Sequence, residues 1–208
     1  MDEIVKQALK KWPNVPHCHG WLALDARGDW YMRDDAVQAR GPFPQVKGSR
    51  IEHEKLREFI ERNYLPDGAG GWFFQNGPQR VYVELEAAPW VWRLSAAANA
   101  TATATAAAGA AAGADTSAAP AITSHTGLAA QFASAWLDEH GRLFLATELG
   151  LGLVHTLDME LAAMAVEARL WTPVEMNFDR LTAQFGVCLV PAPVPTTASW
   201  QAGTPDKT

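Results

Sequence analysis

Apolar residues recur along this chain in two rhythms, one near 3.6 residues and one of two, and the rhythms alternate. Helical spacing comes first: Ile4, Ala8 and Trp12, flanked by Val5 and Leu9, form one stripe that Pro13 ends. The spacing predicts a short amphipathic helix packed on the body, too short and too weakly basic to adsorb to a membrane. Strand alternation follows. Leu24-Asp25-Ala26-Arg27-Gly28-Asp29-Trp30-Tyr31-Met32 reads strand, Asp/Gly turn, strand. Ser49-Arg50-Ile51-Glu52 has the form of a capping box, and Leu56, Phe59 and Ile60 then make the buried stripe of a second helix. Between Trp72 and Leu85 the Asn76-Gly77 pair predicts a hairpin, with Pro78 in its turn. Val81, Val83 and Leu85 then face one way, and Tyr82, Glu84 and Glu86 the other.

The pattern returns later in the chain. Leu137-Asp138-Glu139-His140-Gly141-Arg142-Leu143-Phe144-Leu145 matches the first hairpin register for register. Trp21 and Trp136 stand just upstream of the two copies, and each copy is followed by a helix. The second helix starts near Thr156 and carries Leu157, Leu161, Met164 and Ala165 as its stripe. These matches predict an α+β fold of two similar units, each of antiparallel β-hairpins packed on one main helix. At the end of the second unit the pattern predicts a strand near Val174, a short helical turn, and a strand over Phe185–Val190.

Composition changes where the core can lie. Of 208 residues 48% are hydrophobic, but 16 of the 27 residues in 95–121 are alanines. That stretch has no Leu, Ile, Val or Phe before residue 122, so it cannot offset the cost of entering lipid and reads as a low-complexity linker. The Pro-rich stretch 191–208 reads as a disordered tail. The predicted organisation is a unit over 1–94, a linker over 95–121, a unit over 122–190 and the tail. Eight of nine Trp lie outside the linker and tail. A net charge of -6 gives no footprint for nucleic acid or an anionic membrane. Two Cys make no disulfide framework, and the N-terminus has no basic start followed by an apolar core; both predict a reducing, cytoplasmic setting.

Several of these features together resemble a known family. The Pro16-His17-Cys18 approach to the first strand, the Asp25–Tyr31 hairpin, the Ser49–Ile60 helix start and the Val81–Val91 run occur in its order. The first segment, over about residues 16–92, is similar to an uncharacterised family of two-domain bacterial proteins known only as a domain of unknown function. In that family the last run typically reads Val-Glu-Asp-Ala-Pro-Phe-Val. Here Glu86-Ala87-Ala88-Pro89-Trp90-Val91 puts Ala87 in place of the acidic residue, so no role of that carboxylate carries over. The resemblance implies a repeated α+β motif and a role in signalling or ligand sensing.

Candidate chemistry is sparse. His17-Cys18-His19 has zinc-binding side chains. In an extended segment His17 and His19 share a face and Cys18 points away, so at most two of the three serve one metal. Further ligands would have to come from Asp25, His53, His140 or His155, none at a metal-site spacing. Cys18 as a nucleophile would need a base and a depressed pKa, and Cys188, between Val187 and Leu189, reads as a core strand residue. No nucleophile elbow, phosphate loop or His-Glu-x-x-His is present. Tyr82, Glu84 and Glu86 share one strand face near Arg80, and would line a cleft if the second unit covers them. Trp90 and Trp92 read as core or inter-unit packing.

The sequence therefore predicts a non-enzymatic ligand-sensing or protein-interaction module with Arg80, Tyr82, Glu84 and Glu86 as ligand-binding residues. Its partner would be a small molecule or a protein, not nucleic acid or membrane, and no cofactor is called for. The alternative is a small metal- or Cys-dependent hydrolase using His17-Cys18-His19. A purely structural partner in a hetero-complex would instead expose an apolar patch around Trp90 and Trp92.

Overall fold

In a computed structural model described over residues 1–96 and 119–193, the first half runs through seven short strands and three helices. In order these are α1 (Glu3–Lys11), β1 (Cys18–Leu24), β2 (Trp30–Met32), α2 (Asp35–Arg40), β3 (Ser49–Arg50) and α3 (Glu54–Arg62). There follow β4 (Tyr64–Pro66), β5 (Trp72–Asn76), β6 (Gln79–Leu85) and β7 (Trp90–Ser95). The second half has β8 (Ala121–Ser124), β9 (Ala129–Ala130), β10 (Phe132–Leu137), β11 (Leu143–Thr147) and β12 (Gly150–Val154). A 3-10 turn at Thr156–Asp158 leads into α4 (Met159–Glu167), then β13 (Val174–Glu175) and α5 (Phe178–Gln184). This is a mixed α+β fold with two sheets and few helices. Most of the expected linker and tail lies outside the described residues.

The first sheet has the order β3-β2-β1-β6-β5-β4, and the second β13-β10-β11-β12-β7-β8-β9. Neighbours are antiparallel except at three places: β1 beside β6, β12 beside β7, and β10 beside β13. The break between sheets falls at Glu86–Pro89, because Trp90–Ser95 pairs with β8 and β12 rather than with the first sheet. That is upstream of the boundary expected at residue 94.

The two hairpins read as copies occupy different places. β1 of the first hairpin lies on the parallel seam with β6, whereas the β10–β11 hairpin lies one strand away from the β7/β12 seam, as β4–β5 does from β1/β6. Loop chemistry explains the misleading match. Asp25 Oδ1 accepts from the N–H of Arg27 and Asp29, and Asp138 Oδ1 from His140 and Arg142. Asp67 repeats this with Ala69 and Gly71 between β4 and β5, and the Ser124 hydroxyl accepts from Leu128 between β8 and β9. A side-chain oxygen that satisfies the N–H groups of a tight loop is a general solution, so it recurs wherever such a loop is needed. The helices also differ in place: α3 separates β3 from β4, while β10 follows β9 after one residue and α4 comes only after β12.

One interior serves both sheets. Leu24, Trp30, Tyr64, Val83 and Leu85 of the first sheet pack in a single cluster with Trp92, Leu94, Leu145 and Val154 of the second. A second cluster lies on the other face of the second sheet, where Trp136, Phe144 and Leu153 meet Leu181 of α5. Both faces of β11 are thus covered, which is why its five residues are all buried. Trp90 and Trp92 are 5% and 0% exposed, so the apolar patch that a purely structural partner required is not there. Their indoles donate to the carbonyls of Leu149 and Leu145.

The junction is aromatic. The Tyr64 ring lies 5.2 Å from Trp30, 4.8 Å from Trp72 and 5.7 Å from Trp90, and its hydroxyl donates to the Pro89 carbonyl. His125 is enclosed among Trp30, Tyr64 and Trp90. Its Nδ1 accepts from the Val91 N–H, while its Nε2 has no partner among the described residues. Burial lowers the imidazole from its ordinary value of 6.5 to about 3.

Other elements depart from their sequence pattern for local reasons. The Ser49–Glu52 capping box does not form: Ser49 and Arg50 pair with β2 as β3, and His53 Nδ1 caps α3 by accepting from Leu56. The α3 stripe is as expected, with Ile60 buried and Leu56 and Phe59 packed on the core. Helix α4 buries its small residues Ala162 and Ala165, with Leu161 packed beside them, while Met164 and, in the preceding turn, Leu157 are exposed. Helix α1 buries Val5 but exposes Ile4 and, just past its end, Trp12. Residues 185–190 form no strand. They run as an irregular segment in which the Cys188 N–H donates to the Gly70 carbonyl and the Leu189 carbonyl accepts from Leu85.

Two outcomes test this packing. His125 is a base whose folded-state pKa is depressed, so the unfolded chain binds the proton more readily. Stability present above pH 6.5 is then lost as pH falls towards about 3, at up to ~1.4 kcal/mol per pH unit. His125→Asn keeps an acceptor for Val91 and removes the titration. Its urea-unfolding free energy should fall less between pH 6.5 and 4 than that of the parent. A Cβ on Gly152 would collide with the Trp92 indole and with Trp90 Cβ. Gly152→Ala should therefore cost about 1–3 kcal/mol in the same measurement.

Candidate functional site

Alternation along β6 sends Val83 and Leu85 into the core and Tyr82 and Glu84 to the opposite face of the first sheet. On that face β1 and β6 lie side by side, with Leu22 opposite Val83 and Ala23 opposite Glu84. Two groups of side chains gather there, one charged and closed, the other aromatic and open.

The charged group is held by a returning loop. Arg33 follows β2 and is 2% exposed. Its Nε and Nη2 donate to the carbonyls of Val46 and Gly41, and Nη1 pairs with the Glu84 carboxylate. Burial pushes the Glu84 carboxyl up against the opposing pull of Arg33. Lys47, fixed by the same loop, reaches both Asp25 Oδ2 and Glu86 Oε2 at 2.9 Å. The Tyr31 hydroxyl also donates to Asp25, and the Ala26 N–H to Glu86. Burial works to raise the Asp25 carboxyl, but the bonds from Lys47 and from the Asp29 and Arg27 N–H groups outweigh it and hold the group low. Lys47 is raised correspondingly, since its two carboxylates overcome the effect of its burial. Glu84 and Glu86 are therefore neutralised within the fold, by Arg33 and Lys47 rather than by Arg80. The Arg80 guanidinium instead lies 4.5 Å over the Phe73 ring.

The open group is a cleft of about 620 Å³ lined by His17, His19, Tyr82 and Asp67, with Cys188, Pro191 and Pro193 on the far wall. The His19 imidazole stacks on Tyr82 at 4.5 Å and 8°, and His17 meets the same ring edge-on at 5.9 Å. Burial, and then His17, lower the His19 imidazole. The far wall is the segment after α5, tied down by the bond from Cys188 to Gly70. A side chain on Gly70, whose φ is +96°, would strike the Gly186 carbonyl. Of the four ligand-binding residues expected from sequence, the cleft takes Tyr82 alone and adds the two histidines.

Chemistry that needs free reactive groups finds little here. Burial and Asp35 raise the Cys18 thiol, against the thiolate that a nucleophile needs. His53 and His155 cap helical turns through Nδ1, Asp25 is engaged by Lys47, and His140 is exposed beside Glu139. Among the described residues no three His, Cys, Asp or Glu are placed to hold a metal ion. Cys188, read as a strand residue of the core, lies half-buried in a loop on the cleft wall.

Sequence reasoning passed over Asp67, Arg33 and Lys47. Asp67 had a usable signal, since Asp67-Gly68-Ala69-Gly70-Gly71 is a loop of the same kind as those at Asp25 and Asp138. Arg33 and Lys47 had none, because their partners are 51 and 39 residues away.

A family model described as a protein of unknown function (DUF2946) matches residues 1–198. No curated protein matches. Among solved structures, a DUF1285 family protein from Silicibacter pomeroyi DSS-3 is similar at 12% identity and a TM-score of 0.46, covering 77% of this chain and 82% of that one. A DUF1285 family protein from Shewanella baltica OS155 is similar at 14% identity and 0.43, covering 72% and 96%.

The charged group predicts a stability effect separate from the cleft. Arg33→Met leaves Glu84 half-buried and the Gly41 and Val46 carbonyls without their donor. Chemical denaturation should show a loss of about 3 kcal/mol, near the usual result of breaking a buried pair from one side.

Proposed function

This chain belongs to the family described as a protein of unknown function (DUF2946), and we propose that it acts there as a non-enzymatic ligand-binding module of the sensing or interaction kind. The observation that carries the reading is the cleft, in which an imidazole stacked on a phenol presents a flat surface beside a single carboxylate. A concave site with aromatic walls and few polar groups is the usual form of a small-molecule pocket. The charged residues nearby support the reading from the other side. Arg33, Lys47, Glu84, Glu86 and Asp25 are consumed in mutual pairs, so they hold the frame rather than serve as acids or bases.

The two sheets, in this reading, descend from one unit. The order β3-β2-β1-β6-β5-β4 matches β9-β8-β7-β12-β11-β10, with a parallel seam at the centre of each, and this supports the relation. A reducing, cytoplasmic setting belongs to the same reading and is supported by the free thiols of Cys18 and Cys188. No described helix is long and apolar enough to cross a membrane.

The test is a thermal-melt screen of the full chain against amines, organic acids, nucleosides and sugars, run beside Tyr82→Ala. A compound present at a hundred times its Kd adds about 2.7 kcal/mol, or several degrees for a chain of this size. At least one class should give such a shift with the parent and lose it in the variant. A screen with no shift, or shifts that Tyr82→Ala keeps in full, would overturn the proposal.

A further inference from the structure

The backbone N–H groups of the cleft are largely spent, and the donors it keeps are the imidazole N–H groups of His17 and His19 and the Tyr82 hydroxyl. The backbone N–H groups of Ala69 and Gly71 go to Asp67 Oδ1, and that of Cys188 goes to the Gly70 carbonyl. Pro16, Pro191 and Pro193, which also line it, have carbonyls but no N–H at all. Asp67, which lines the cleft, uses only Oδ1 in its loop, no Lys or Arg among the described residues pairs with its carboxylate, and Oδ2 lies over Gly71 close to the Tyr82 ring. Beside it stand the Tyr82 and His19 rings. Arg80, the cation of the same strand, is held over Phe73 and does not line the cleft.

From this we infer that the cleft binds a small organic cation, an ammonium or guanidinium group, with Asp67 as its counter-ion and Tyr82 as its aromatic platform. The inference rests on the cleft being the ligand site. Its chemistry is that of cation recognition generally: a positive charge meets an unpaired carboxylate, while an aromatic wall adds attraction to the charge. The lowered pKa of His19 agrees with it, since a neutral imidazole adds no repulsion. An anion would meet the Asp67 carboxylate with only neutral donors, the imidazoles and the Tyr82 hydroxyl, to set against it, and a neutral ring would leave the carboxylate unused.

The experiment titrates the full chain calorimetrically with agmatine and choline as cations, indole as a neutral ring and benzoate as an anion. Asp67→Asn keeps an Oδ1 acceptor for the loop and removes the charge. Asp67→Ser is a second variant should the first fail to fold, because Ser124 fills the same role in the β8–β9 loop. At least one cation should bind the parent, more weakly as salt is raised. Either Asp67 variant, melting like the parent, should weaken that binding about tenfold or more. If indole binds in a Tyr82-dependent way and the cations do not, the cation inference falls and the cleft reading stands. Benzoate bound as well as agmatine, or cation binding unchanged in the Asp67 variants, also overturns it. If no probe binds the parent, this inference falls, and the cleft reading falls too if the broader screen with Tyr82→Ala is equally silent.

Discussion

Tyr64 decides where everything else sits. Its ring touches Trp72 within its own sheet and Trp90 across the gap, and its hydroxyl bonds to the carbonyl of Pro89, at the point where the chain leaves one sheet for the other. A buried phenol without that bond would carry the full cost of an unmet donor, so the Glu86–Pro89 passage must run where the hydroxyl can reach it. Ala87 and Ala88 make the passage narrow enough to be buried against the second core cluster. From that crossing follow the shared interior, the two parallel seams and the face of β6 left for function.

The same crossing separates two kinds of polar surface. At the end of β6 near the junction, carboxylates are paired with cations from the segment between β2 and β3, Arg33 buried and Lys47 partly exposed. Further back along the strand Tyr82 meets the two histidines, where no loop covers them. Framework and site thus share one strand, with Glu84 and Tyr82 two residues apart and opposite in role. A partly buried ion pair adds little net stability but penalises any arrangement that leaves one partner alone, so Arg33 and Lys47 act chiefly to fix the loop's path.

Legibility in the sequence followed the range of the interactions. The α3 stripe, the Asn76-Gly77 hairpin and the outward face of Tyr82 and Glu84 were all readable, because each depends on neighbours a few residues away. The capping box at Ser49 failed because strand pairing with β2 claimed those residues first. The strand expected at 185–190 failed because its apolar run packs as a wall, bonded at Cys188 and Leu189 to partners in the first half of the chain. The apparent repeat at Asp25 and Asp138 was correct as loop chemistry and misleading as architecture. Of the cleft, Tyr82, His17 and His19 were visible as residues of interest. Their juxtaposition was not, since it needs β1 beside β6, a parallel pairing that no local pattern encodes.

The close contact of Gly70 with Gly186 has a consequence in time. Those residues stand far apart in sequence, on opposite sides of the alanine-rich stretch, and the loop that joins them is among the longest the chain must close. Contacts of such separation form late, after the local hairpins and helices have repaid their own ordering. The cleft wall is therefore completed only when both sheets have docked, and any molecule that needs the cleft reports on a finished chain.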